Sequence, residues 1–501
     1  MSADEPNAKR RALGTALLAL PLLSTPAYAS ATGEKVRVPA GEFLGVRSDG
    51  VVTFRGIRYG ADTSRTRFKP AQSAPRETAV IKAWQNGPVC PQRAKTADAQ
   101  SEDCLRLNIW TTSLDTRAKM TVMVYIHGGA YATGSGNDPL TDGSILATSR
   151  DVVVVCVTHR LNAFGYLSLG RLDPRYPDSG NVGQLDLILA LEWIRDNIAG
   201  FGGDPTSVMV FGQSGGGAKI ATLMAMPAAK NLFHRAATMS GQQVTASGPL
   251  NAQRRAAAYL KTLAVDPVSA NTTLLVEALD AVDPILGGAM YFGPVVDDRH
   301  LLRHPFYPDA HPQSLHIPML LGNTVAETRA FFRAEHKVWR GLNWENLAER
   351  LGPELRVDIS PERVVAKYRG WFPEKTPAQV FISATTAGRS WRGQIIEAEA
   401  RATANAPAFV YQLDFENAAH TDDIGLVFGT TPSITEAART VSARMREAFT
   451  VFAKSGDPGW EPYKLTERKT MLFDTTSRVA SDPRGREREL FAEALYVQPG
   501  T

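Results

Sequence analysis

Cysteine is nearly absent, with three residues in a chain of 501. That excludes a disulfide-scaffolded mini-domain, and a chain this long buries enough surface to need no such staple. A structural metal is poorly served as well, because neither Cys90 nor Cys104 has a histidine or a second cysteine at ligand spacing. Long basic runs are missing too. With 55 basic against 51 acidic side chains the net charge is only +4, so the electrostatic footprint of a nucleic-acid binder is lacking. No apolar run reaches the ~20 residues needed to cross a bilayer. Internal repeats and low-complexity tracts are also lacking, which leaves one domain rather than a string of linked modules. What remains, 44% hydrophobic, 21% charged and 8% aromatic residues, is ordinary for a globular protein.

The first thirty residues are different in kind. Lys9-Arg10-Arg11 precedes an apolar stretch over 12–23, and Ala27-Tyr28-Ala29 follows it. A basic region, a short apolar region and an A-x-A site predict a secretory signal over 1–29, cut before Ser30. The Arg10-Arg11 pair is also a feature of twin-arginine signals. The mature chain is therefore expected to be exported, to a periplasm or beyond. In an oxidising compartment Cys90 and Cys104 are candidates for a disulfide. A loop of that size would contribute about 3 kcal/mol in the chain-entropy model. Cys156, inside the wholly apolar run 152–157, reads as a core hydrophobe.

Along the rest of the chain, short β-prone runs over 36–54 are broken by Gly41, Gly45 and Asp49-Gly50. Further strands are expected at 105–110, 121–126, 151–158, 208–211, 318–322 and 407–413. The spacing of apolar residues over 185–198 fits a mostly buried helix, and another begins near Gly217. Buried strands alternating with helices predict an α/β fold, a mostly parallel sheet flanked by helices. Looser, Pro-containing blocks at 245–298 and 343–405 read as lid-like helical insertions in that single domain.

Three sequence features carry chemistry. Gly212-Gln213-Ser214-Gly215-Gly216 fits G-x-S-x-G between an apolar strand and a helix. In that context the serine sits on a sharp turn that lifts its hydroxyl clear of the sheet. Ile126-His127-Gly128-Gly129-Ala130 ends another apolar strand. Its small residues let two consecutive N–H groups point at a developing oxyanion, and Gly215 N–H would make a third donor. His127 is already accounted for by that motif and reads as structural.

The third feature is the base and its acid, which follow the nucleophile in the order acid then histidine. His127 and His159 come too early, and His234 follows Ser214 too closely. His300, His304, His311 and His316 lie in loop-like sequence before the next core strand, and His336 is nine residues from the best acid. His420 remains, just past the strand ending near Leu413. For the acid, Glu327 follows the strand 318–322, at the end where parallel sheets place their sites. Asp297 and Asp298 are the rivals.

These residues together resemble the type-B carboxylesterase family, which is similar to cholinesterases and bacterial para-nitrobenzyl-type esterases. The resemblance is carried by FRGIRYG (54–60), SEDCLRLNIW (101–110), IHGGAYATGSG (126–136), GQSGGGAK (212–219), LLGNTVAETRAFF (320–332) and AAHTDDIGLVFG (418–429). It implies the α/β-hydrolase fold, a triad of Ser214, Glu327 and His420, oxyanion donors at Gly129, Ala130 and Gly215, and a disulfide between Cys90 and Cys104. It also implies an ion pair of Arg55 with Glu102 beside that disulfide. Gln213 stands where the family often has Glu or His, and Thr328 where a Gly is usual, neither of them a reacting group. The residues between Cys90 and Cys104 include no aromatic, and Trp84 lies outside them. The cation–π site that cholinesterases build there is therefore not expected, whereas the small oxyanion segment resembles that of esterases accepting bulky alcohols.

The expected activity is hydrolysis of a small to medium organic ester through an acyl-enzyme, with no metal or organic cofactor, no nucleic acid and no membrane insertion. Amidases, carbamate hydrolases and lactone- or toxin-degrading hydrolases use the same machinery, and the pockets that choose among them are built from the variable blocks. A non-catalytic binding protein on the same fold is the reading from another class. Such proteins lack a complete triad, and this chain has all three residues.

Overall fold

The computed structural model describes residues 32–432, 435–498 and 500. The expected signal at 1–29 lies outside the described residues. The chain builds one sheet of thirteen strands: β1 (Thr32–Val38), β2 (Gly41–Ser48), β3 (Val51–Arg58), β4 (Val80–Lys82), β5 (Arg106–Thr111), β6 (Met120–Ile126), β7 (Val153–Thr158), β8 (Gly203–Gln213), β9 (Arg235–Met239), β10 (Met319–Thr324), β11 (Ala408–Leu413), β12 (Lys469–Phe473) and β13 (Arg478–Ser481). Their spatial order is β1-β2-β3-β5-β7-β6-β8-β9-β10-β11-β12-β13, with β4 beside β2. Pairing is antiparallel from β1 to β7, parallel from β7 through β12, and antiparallel again at β13.

The sequence explains both regimes. Asp49 and Gly50 both take positive φ, 50° and 81°, the turn geometry that a two-residue hairpin between β2 and β3 requires. β6 and β7 are buried along their whole length because helices cover both faces. Val122, Val124 and Ile126 face one core, while Met123 and Tyr125 face the other. The helix Val182–Asn197 covers the first of these and the helix Glu436–Ser455 the second. β9, β12, β13 and the helix Glu436–Ser455 are not among the elements expected above, although the helix repeats apolar residues at Val441, Met445, Ala448, Phe449 and Phe452 along its buried face. β9 is Arg-Ala-Ala-Thr-Met, too small in its side chains to announce a strand.

The blocks at 245–298 and 343–405 hold the helices Pro249–Leu263, Thr272–Glu277, Leu347–Leu351, Pro361–Trp371, Pro377–Thr385 and Arg392–Thr403. The second block has its own apolar cluster, in which Leu347, Leu351, Val364, Tyr368 and Phe381 are buried together. No described helix is long and apolar enough to cross a membrane.

One expectation at the N-terminal edge needs correcting. Arg55 does not pair with Glu102. The β3 ladder shifts register between Phe54 and Ile57, and Arg55 instead reaches Asp142 at 2.8 Å and stacks 5.3 Å from the Trp110 ring. Glu102 is claimed by Arg67, through two bonds of 2.7 and 2.5 Å. The Cys90–Cys104 bridge is not formed in this structure, where both are free thiols, fully buried. They are neighbours all the same. A hydrogen bond with Cys90, and then burial, push the Cys104 thiol well above its ordinary pKa. Main-chain bonds from Val89 N–H to Ala99 O and from Ser101 N–H to Val89 O, both 2.9 Å, close the neck of the loop between them.

Candidate active site

The C-terminal ends of β6, β8, β9, β10 and β11 lie side by side in the sheet, and each delivers one piece of the site. β8 runs straight into Ser214, which turns the chain at φ 54°, ψ −123° before the helix Gly215–Leu223 begins. A positive φ is strained for a residue with a side chain, and here close packing imposes it. A Cβ on Gly216 would lie 1.9 Å from the Ile126 carbonyl oxygen, and one on Gly241 2.0 Å from that of Ser214. Only bare backbone fits on either side of the elbow.

Past the end of β6, Gly129 (φ 77°) and Ala130 (φ 51°) form a tight turn. The N–H groups of Ala132 and Thr133 both fold back onto the Gly129 carbonyl at 3.1 Å. Asn162 N–H holds the Tyr131 carbonyl at 2.6 Å from the far side. A Cβ on Gly215 would stand 2.1 Å from the Ala130 carbonyl oxygen, so the backbones carrying Gly129, Ala130 and Gly215 are in direct contact.

Glu327 follows β10 and is fully buried. Its Oε2 accepts from His420 Nδ1 at 2.5 Å. Its Oε1 accepts from the Ser240 hydroxyl and from Thr324 N–H at 2.7 Å. Burial alone would raise this carboxyl. The charge and hydrogen bond of His420, with the donors Ser240 and Thr324, outweigh it and hold the pKa below the ordinary value. The two loops are zipped together by main chain, Ala326 N–H to Ala418 O at 2.9 Å and His420 N–H to Glu327 O at 3.2 Å. With Nδ1–H committed to the carboxylate, His420 Nε2 is an acceptor. It faces the amide of Gln213, the residue before Ser214, at 3.2 Å. The arrangement can take a proton at Nε2, stabilise the imidazolium that results, and offer backbone donors beside the same serine.

A carboxylesterase family model matches residues 32–491. The chain is 31% identical to the para-nitrobenzyl esterase of Bacillus subtilis (strain 168), over 91% of this chain and 98% of that one. The crystal structure of the Geobacillus stearothermophilus carboxylesterase superposes with a TM-score of 0.83 at 31% identity, covering 91% of this chain and 99% of that one. A para-nitrobenzyl esterase structure gives 0.80 at 32%, covering 92% and 100%. The chain belongs to the carboxylesterase family. It has the α/β-hydrolase fold and is a serine-type carboxylic ester hydrolase.

In this carboxylesterase the rival acids stand apart from His420. Asp297 Oδ1 accepts the N–H groups of Arg299, His300 and Leu301, and its Oδ2 holds Asn181. His300 and His304 are spent on Asp178 and Ala246 N–H. Two residues that sequence reasoning passed over touch the site directly. Gln213 borders His420 Nε2, and Ser240, at the end of β9, binds the acid. The short strand of small residues that leads into Ser240 offers no strong signal of its own. Thr328 anchors the acid loop through its hydroxyl to Thr385 at 2.6 Å.

A cavity of about 200 Å³ opens beside the turn after β6, between Ala130–Thr133 and Leu279 with Ala289–Phe292 from the first helical block. A larger one, about 720 Å³ beneath Val325 and Ala326, is lined by neither Ser214 nor that turn.

Behind the Gly129–Ala130 turn, Tyr131 donates its hydroxyl to Gln243 Oε1 at 2.8 Å. Gln243 N–H in turn binds Glu397 Oε1 at 2.6 Å. Burial raises the Glu397 carboxyl to about 8, against smaller opposing effects of Gln243 N–H and Arg401. A carboxyl raised in the folded state favours folding fully below its unfolded value of 4.5, and that contribution is lost as pH rises to about 8. Glu397→Gln is therefore expected to flatten the pH dependence of the unfolding free energy across that window and to be the more stable protein at its alkaline end. Urea unfolding of both forms at several pH values checks this, and parallel curves would contradict it.

Proposed function

We propose that Ser214, His420 and Glu327 are the catalytic triad, with the N–H groups of Gly129, Ala130 and Gly215 as the oxyanion hole. The observation that carries the reading is the Glu327–His420 bond at 2.5 Å, set so that the remaining ring nitrogen faces Gln213, next to Ser214. Ser214 Oγ attacks the ester carbonyl while His420 Nε2 takes its proton, and Glu327 stabilises the imidazolium. The oxyanion draws on donors already fixed by contact between the two turns, so no reorganisation is needed when charge develops. His420 then protonates the leaving alcohol and activates the water that releases the acid.

The substrate is a small to medium organic ester. A 200 Å³ cavity lined by Tyr131, Leu279, Met290 and Phe292 supports a compact apolar group on one side of the scissile bond. Trp84, 44% exposed beneath Lys82, builds no enclosed cation site, which weighs against choline esters. The basic, apolar and A-x-A segments of residues 1–29 support export. A disulfide between Cys90 and Cys104 after export belongs to the same reading, supported by two fully buried thiols whose intervening loop is closed at its neck by main-chain bonds.

The test is turnover of para-nitrophenyl esters from acetate to long-chain, together with fluorophosphonate labelling read by peptide mass. Short-chain turnover and one label, on Ser214, are expected. An inert, unlabelled protein, or a label elsewhere, removes the assignment.

A further inference from the structure

One buried cation is unused by this chemistry. Lys219 lies on the helix Gly215–Leu223, fully buried. Its Nζ donates to the His127 carbonyl oxygen at 3.1 Å and lies 5.4 Å from the centre of the Tyr131 ring. No carboxylate acts on it: burial alone shifts the amine, down to about 7. The imidazoles of His127 and His159 stack 4.9 Å apart. Each commits Nδ1 to a carbonyl, Gly128 O at 3.0 Å and Arg160 O at 2.8 Å. Burial and then the charge of Lys219 push His127 down to about 3 and His159 well below its ordinary value. Neither ring can therefore share a proton with the lysine near neutrality. The nearby Arg160 is neutralised by Asp186, at 2.6 and 2.7 Å.

An ammonium buried without a counter-ion lowers stability. Features with that cost are expected where function requires them. Its position says which function. His127 O closes β6 immediately before Gly128, Gly129 and Ala130, and a Cβ on Gly216 would stand only 3.0 Å from the same oxygen. The lysine thus joins the nucleophile's helix to the first peptide of the oxyanion turn.

We propose that Lys219 is a positioning residue of the oxyanion hole, its ammonium fixing the His127 carbonyl so that the amide groups of the turn that follows are aimed at the oxyanion. A positive charge held beside the turn also favours the negative charge that develops there. The inference rests on the assignment of Gly129 and Ala130 as donors.

The test is Lys219→Met, close in volume and uncharged. The kcat for a para-nitrophenyl ester is expected to fall about 10²-fold, the loss of one oxyanion donor, with KM little changed. Affinity for a trifluoromethyl ketone, which forms an oxyanion on Ser214, should fall by the same factor. The melting temperature should hold or rise, because an unpaired buried charge has gone. In the wild type kcat/KM should decline on the alkaline side as Lys219 loses its proton, and the variant should lose that limb. The titratable groups facing the amine are His127, His159 and Tyr131, and burial holds both imidazoles well below and the phenol well above neutrality. An unchanged kcat, a loss confined to KM, or unaltered ketone affinity overturns the proposal. So does a wild-type plateau through the alkaline range, which decides the matter if Lys219→Met fails to fold. Wild type that turns over and labels at Ser214, with Lys219→Met equally fast, removes only this inference. Wild type that does neither removes the triad reading beneath it.

Discussion

Ser214→Ala is expected to lose about 10⁶ in turnover of a para-nitrophenyl ester, the loss seen when a triad serine is removed. The residual rate should remain about 10³–10⁴ above water, from oxyanion donors and binding that survive the substitution. The elbow geometry makes the variant a clean one. Ser214 Oγ holds no other part of the fold, and the tight packing around it is made by Gly216 and Gly241. The variant should therefore melt as the wild type does, since Ser214 is only half-buried and the packing of the turn is unchanged. Stopped-assay kinetics with calorimetry separate the two effects. A loss of less than about a hundredfold would mean that another nucleophile does the chemistry.

Glu327→Gln is expected to cost about 10⁴ in kcat, as removing the charge of a triad acid does elsewhere. The local bonding explains why an amide of the same shape is so poor a substitute. Oε1 receives the Ser240 hydroxyl and Thr324 N–H, and the main-chain N–H is a donor that only an oxygen can satisfy. The glutamine carbonyl must take that position, which turns its NH₂ toward His420 Nδ1. His420 Nδ1 would then have to accept, and its proton would move to Nε2, the atom that must receive one from Ser214. Thr324 N–H is main chain and holds this orientation in Ser240→Ala as well, so the loss from Glu327→Gln should be much the same in that background, and a double-mutant cycle reads it. A loss that largely disappears in the Ser240→Ala background would contradict this account.

How much of this was legible in the sequence differs from element to element. The elbow, the oxyanion turn and the acid and base loops each follow an apolar strand, so local pattern places them without tertiary knowledge. Ser240 follows a strand of small residues, which has no periodic signal strong enough to point at it. Gln213 was visible, but its contact with His420 spans 207 positions and depends on how β8 and β11 are ordered in the sheet. The partner of Arg55 was misjudged for a similar reason. A register shift in β3 redirects the side chain toward Asp142, and Arg67, from a coil without regular pattern, reaches Glu102 first. Lys219 stood inside a recognised motif, and only burial without a counter-charge sets it apart.

The five adjacent strand ends have a consequence for how the protein can be handled. Gly129 and His420 are brought together only when β6, β8, β9, β10 and β11 are all in register. No fragment lacking one of these strands can assemble the site, and a partly folded chain is silent rather than slow. Turnover per molecule is then a count of fully assembled sheets, and the enzyme is its own gauge of folding yield. Recovery of ester hydrolysis after dilution from denaturant should track the slowest of these strand pairings, however early the helices form.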